Sequence, residues 1–201
     1  MKELIIESKG IKTDQYFIPP FELREGELVV IYLYGGAHFQ NIKTGLVNIF
    51  TGKTKNQNVR VEKTLTYVDY FRESKFRRLF FPVRVDEYLR KNANLESKFI
   101  QKLYENPWIN KKTKINEIGW NTKRLLSLYA TFSKTKYIVF ELAGQGPADA
   151  KETFDIVRNE IKEGGSAILI DWAEDMKENC DKFISIEWQI DLKENKKAIQ
   201  F

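Results

Sequence analysis

Residues 28–52 read LVVIYLYGGAHFQNIKTGLVNIFTG. The run from Leu28 to Leu33 is continuously apolar and of strand length, and Gly35 and Gly36 directly after it mark a turn. Beyond the turn, Leu46, Ile49 and Phe50 recur at helical spacing, and Gly52 stands where a helix end commonly places glycine. The stretch is predicted as a buried strand, a loop and a helix. A strand without polar alternation has to be covered on both faces, which is the situation of a parallel sheet between layers of helices.

Two further segments repeat the pattern. Tyr137–Phe140 (YIVF) and Ala167–Ile170 (AILI) are short apolar runs, and Ala150, Phe154, Val157 and Ile161 between them mark one helical face, closed by Gly164 and Gly165. Phe183–Trp188 is a last strand candidate. Alternating strands and helices place the chain in the α/β class with a mostly parallel sheet and flanking helices. The middle, about residues 73–122, differs: it is rich in Lys, Arg and Asn, with Val85, Tyr88 and Leu89, then Leu95, Phe99 and Leu103, at helical intervals. A small helical insert is predicted there, interrupted between Asn106 and Lys114, where Pro107 cannot continue a helix. A length of 201 residues suits one domain carrying such an insert.

Composition narrows the function. With 42% apolar and 30% charged residues the chain is expected to fold as a globule. No run nears the roughly 20 apolar residues that span a bilayer, and the first ten residues carry charges where a secretion signal is apolar, so a cytoplasmic protein is expected. One cysteine, Cys180, and one histidine, His38, exclude an internal disulfide and a Cys/His zinc site; His38 reads as a polar loop residue. The net charge of +5 has a local concentration at Arg72, Lys75, Arg77 and Arg78. Such a cluster suits phosphates, acidic lipid headgroups or an acidic partner, or is simply a solvated face.

Several landmarks, taken together, resemble the ATPase domain of ATP-binding cassette (ABC) transporters, a P-loop NTPase fold with a helical subdomain insert. Phe21–Glu27 (FELREGE) before the apolar strand resembles the strand and turn leading into the phosphate loop. Residues 37–44 (AHFQNIKT), followed by Thr51 and Gly52, stand in the place of that loop and its helix. Thr66–Val68, Leu79–Pro82 and Val85–Leu89 resemble the entry to the helical subdomain, and Lys123–Glu141 resembles the helix after the signature and the second acidic strand. Ala167–Ile170 and Cys180–Lys182 match the closing portion. Almost the whole chain is covered, in the family's order, as a single domain over residues 1–201.

The resemblance implies particular site residues. Lys43 and Thr44 would be the end of a vestigial phosphate loop, with Thr44 and Glu141 as magnesium ligands if ATP binds; the alternative is a lysine and a threonine on the first turn of an ordinary helix. Yet Ile42 stands where a glycine is needed for close backbone approach, Ala37 replaces the first glycine, and the stretch from Gly26 to Lys43 is about four residues longer than the pattern, with Gly35 and Gly36 in the extra length as the material for a rearranged loop. Leu142 replaces the glutamate that polarises the attacking water, Tyr70 the coupling glutamine, and Ile118 and Trp120 a serine and a glycine of the signature at Glu117–Asn121. Asp171 and Trp172 occupy the neighbourhood of the switch histidine. Groups that act as one unit and are lost together leave little beyond residual activity.

The resemblance, with these losses, implies a degenerate, hydrolysis-deficient ATP-binding subunit without a catalytic residue of its own. It would be peripheral at the inner face of the membrane, serving a membrane-embedded transporter subunit and pairing with itself or with an intact ABC ATPase. Its docking residues are expected to be Tyr70, Phe71, Arg72, Phe76, Arg77, Phe80 and Phe81, since aromatic and arginine side chains are enriched at interface cores; half of the phenylalanines packing inside the insert is the alternative. An unusual but working ATPase using Lys43, Thr44 and Glu141 is a second reading. A nucleic-acid module built on residues 71–81 ranks last, because acidic residues nearly balance basic ones.

Overall fold

The computed structural model describes residues 2–36, 38–172 and 174–189. The chain opens with β1 (Leu4–Ser8), β2 (Ile11–Lys12), β3 (Tyr16–Ile18) and β4 (Phe21–Arg24), then β5 (Leu28–Tyr32) and helix α1 (Phe39–Phe50). Short strands β6 (Val59–Val61) and β7 (Thr66–Tyr67) lead into α2 (Lys75–Phe80), α3 (Val85–Asn92) and α4 (Lys98–Tyr104). The long helix α5 (Trp120–Phe132), β8 (Tyr137–Phe140), α6 (Pro147–Ile161) and β9 (Ser166–Asp171) come next, and β10 (Lys182–Ser185) and β11 (Glu187–Trp188) close the described chain.

The centre is a five-stranded, wholly parallel sheet in the order β10-β5-β9-β8-β7. Its apolar runs alternate between two cores. Leu28, Val30, Ile138, Phe140, Ala167 and Leu169 face one side, packed against α5 and α6 and continuous with Val85, Leu89, Phe99 and Leu103 of α3 and α4. Val29, Ile31, Val139, Ile168 and Ile170 face the other, under Phe39, Ile42, Leu46 and Phe50 of α1 and the antiparallel sheet β4-β1-β6. Every side chain of β9 is buried, which is why this strand shows no alternation in sequence.

Three local expectations change. Phe183–Trp188 is not one strand: β10 extends the parallel sheet beside β5, and after the buried Ile186 the chain pairs antiparallel with β3 through β11. Leu95 is 51% exposed and lies between helices, because α3 ends at Asn92 and the Asn94 N–H is captured by Ser133 Oγ at 2.8 Å. The N-terminal strands, not expected from periodicity, are two to five residues long, too short for a period to register.

Helix α6 returns to β9 through Gly164 and Gly165, and the second of these admits no side chain. Its φ is +149°, and a Cβ there would sit 2.5 Å from Lys136 Cβ and 2.7 Å from Lys136 O, in backbone that leads into β8. Gly165→Ala is expected to destabilise the fold by about 2–3 kcal/mol, read as a lower urea midpoint with an unchanged slope.

Candidate functional site

The loop after β5 begins with Leu33, whose N–H donates to Asp171 C=O at 2.9 Å, and passes through Tyr34 at φ +51° and Gly36 at φ +141°. Helix α1 then starts at Phe39, so Lys43 is its fifth residue and Thr44 its sixth. Neither is on the first turn. The helix has begun early, and the Ile42 N–H already donates to His38 C=O at 3.1 Å. Thr44 is exposed and its hydroxyl donates back to Gln40 C=O at 2.7 Å, one turn earlier. His38 caps the helix by position only, without a side-chain bond, and its ring lies 5.9 Å from that of Trp188. Ala37 lies outside the described residues.

The Lys43 side chain turns inward. Its Nζ reaches Glu141 Oε2 at 2.6 Å, and the two side chains are only 7% and 6% exposed. Glu141 directly follows β8, and its other carboxylate oxygen accepts from Tyr67 Oη at 3.2 Å. Burial, and after it the Glu141 carboxylate, raise the Tyr67 phenol far above its ordinary range, so it stays a donor. The ammonium also stands 5.7 Å from the ring centre of Phe39, which packs edge-on against Trp172.

The peptide after Glu141 is gripped as tightly. Glu141 C=O accepts from Tyr70 Oη and from Arg124 Nη1, while Arg124 Nη2 donates to Ala143 C=O. The Arg124 guanidinium lies 3.8 Å over the Tyr70 ring and 5.3 Å from that of Trp120, in a residue only 4% exposed. Leu142, in the place of a water-polarising glutamate, is buried, and its N–H donates to Asp171 Oδ2 at 2.9 Å; Asp171 Oδ1 accepts from the Trp172 N–H. At the start of α5, Ile118 is buried in the core, whereas Trp120 is 54% exposed.

The fold that carries this site is one that solved structures share. One from a transporter described as of the metal-chelate ABC type, in an inward-facing conformation, superposes with a TM-score of 0.70 at 14% identity, covering 94% of this chain and 83% of that one. An ABC-transporter ATP-binding cassette in its ADP conformation gives 0.63 at 17% identity, over 93% and 90% of the two chains. An ATP-binding protein described from Pyrococcus furiosus gives 0.65 at 14% identity, over 92% and 94%. The chain has the ATP-binding cassette fold. No protein-family model matches the sequence, and no curated protein does.

On the cassette fold, the residues present do not fit a magnesium triphosphate. The ammonium that would meet phosphate oxygens is held in a buried ion pair, the Thr44 hydroxyl is turned onto its own helix, and Glu141 is the partner of the lysine. Among the described residues no group of three His, Cys, Asp or Glu side chains could hold a metal ion, and no helix is long and apolar enough to cross a membrane.

The expected docking residues separate into two groups. Tyr70, Phe71, Arg72 and Arg77 line a groove with Val83 and Tyr88, and the Phe71 ring meets that of Tyr88 edge-on at 5.6 Å. Phe76, Phe80 and Phe81 are 58–68% exposed, so these three do not pack inside the insert. Sequence reasoning missed Arg124 and Tyr67. The signal for Arg124 was slight, since it closes the polar stretch from Asn121 to Lys123 and only borders the apolar run that begins at Leu125.

Removing one member of a buried ion pair strands the other. Lys43→Met is therefore expected to cost about 3–5 kcal/mol, while the double change Lys43→Met with Glu141→Leu recovers most of that loss in urea unfolding.

Proposed function

We propose that this chain is a degenerate ATP-binding-cassette subunit of a transporter assembly, contributing shape and assembly rather than hydrolysis. The observation that carries the reading is the Lys43–Glu141 ion pair: the two groups that the family uses on phosphate and magnesium neutralise each other at 2.6 Å in a buried site. Displacing that pair for a nucleotide would separate two charges in a medium of low dielectric, an expense that a phosphate would have to exceed. Leu142, Ile118 and Trp120 supply no base and no γ-phosphate loop.

In this reading residues 73–122 form a helical subdomain of the single domain, and the groove lined by Tyr70, Phe71, Arg72 and Arg77 receives a membrane-embedded subunit. The solved structures of similar fold, described as parts of ABC transporters, support a partner of that kind. The chain would be cytoplasmic, lying against the inner face of the membrane, paired with a second copy or with an intact ABC ATPase. A nucleic-acid role is disfavoured because the 28 acidic residues nearly balance the 33 basic ones.

A second reading is an atypical ATPase, and one observation favours it. The loop at Tyr34 and Gly36 has left-handed backbone, and Gly35 and Gly36 are exposed, which is the kind of geometry from which a backbone nest for an anion is built. Thermal melting with and without millimolar Mg-ATP separates the two. No shift in the midpoint is expected; a rise of more than about 2 °C, as a ligand well above its Kd gives a domain of this size, would sink the scaffold reading.

A further inference from the structure

Helix α2 is amphipathic the wrong way round for a globular protein. At about 3.6 residues per turn, Phe76, Leu79 and Phe80 share one face, yet no residue of this helix is buried. Phe76 is 67% exposed, Leu79 74%, Phe80 58% and the adjoining Phe81 68%. The Phe76 and Phe80 rings lie 5.0 Å apart between centroids and form an exposed apolar ridge. From Ser74 to Val85 there is no acidic residue, and Lys75, Arg77, Arg78 and Arg84 are all basic.

The ridge is nonetheless anchored. Ser74 Oγ caps the helix by accepting from the Arg77 N–H at 3.3 Å, Arg77 is paired with Glu87 of α3, and Asn116 Nδ2 donates to Arg78 C=O at 3.4 Å. Glu73 Oε1 accepts from the Val83 N–H at 2.8 Å across its base. The backbone that carries the apolar residues is thus fixed by bonds made elsewhere, so covering them costs side-chain rather than backbone ordering.

We propose that the α2 ridge is a lipid-contact element that seats the Phe76, Leu79, Phe80 and Phe81 side chains in the interface of an anionic bilayer, with Lys75, Arg78 and Arg84 against the headgroups. An exposed ridge of aromatic and aliphatic side chains needs a yielding apolar medium, whereas a protein partner would have to offer a matching concavity. Unopposed basic charge around the ridge selects an acidic surface. Arg77 of the same helix turns to the groove at Tyr70 and Phe71, but Phe76, Leu79, Phe80 and Phe81 do not line it, and their assignment does not rest on the transporter reading.

Flotation of the purified full chain with lipid vesicles tests this directly. The chain is expected to float with mixed phosphatidylcholine and phosphatidylglycerol vesicles about tenfold more than with phosphatidylcholine alone, and to be released by salt. Phe76→Ser with Phe80→Ser, and separately Lys75→Glu with Arg78→Glu, should each abolish flotation without moving the melting midpoint, since all four residues are exposed. Failure of the unaltered chain to float, or undiminished flotation of both variants, overturns the proposal. So does a dimer in sedimentation velocity that the phenylalanine variant loses while no chain floats, which would assign the ridge to a second copy. Neither ATP nor a membrane subunit enters the measurement, so its failure leaves the reading of the cassette site untouched.

Discussion

The buried salt bridge between Lys43 and Glu141 organises the region from the helix after β5 to the end of β8. The two residues are far apart in sequence, and each alone would be intolerable in the core: an unpaired ammonium or carboxylate there carries a desolvation penalty of several kcal/mol. Joined at 2.6 Å, with Tyr67 satisfying a remaining carboxylate oxygen, they let α1 sink onto the sheet as an ordinary packed helix. The Glu141 backbone is fixed from the opposite side by Tyr70 and Arg124, so one residue ties together α1, β7, the segment leading to α2, and α5. Both cores of the protein meet at this point, since Phe140 before it belongs to one and Val139 to the other.

Charge balance at the end of β8 is met internally, by Lys43 for the carboxylate and by Arg124 for the carbonyls beyond it. The Arg124 guanidinium is further covered by the faces of Tyr70 and Trp120, where its weak hydration and flat shape are an advantage that a lysine would not share. A position that reads in sequence as a lost glutamine and a lost signature glycine is, in space, a pair of aromatic walls around a cation.

Much of the architecture was legible because the central strands are covered on both sides. LVVIYL, YIVF and AILI carry no polar interruption, and the helices between them show one apolar face each; these fell where the sequence placed them, in a parallel sheet. Less was legible at the edges, where two-residue strands such as β2 and β11 owe their pairing to neighbours rather than to their own pattern. In the candidate site, Lys43, Thr44 and Glu141 were singled out from sequence order, but their mutual arrangement was not. Whether Lys43 faces a loop or the core depends on where α1 begins, and no capping signal marks that start: His38 makes no side-chain cap bond and the first turn holds no acidic residue.

That early start has a geometric consequence of its own. Winding four extra residues into a helix advances its axis by about 6 Å while returning side chains to nearly the same azimuth. The partial positive charge that backbone dipoles gather at a helix entrance therefore lies by Phe39, an aromatic ring set against Trp172, and not by Lys43 one turn further on. A helix can thus spend a lysine of its second turn on a core ion pair while its anion-attracting end opens beside aromatic rings.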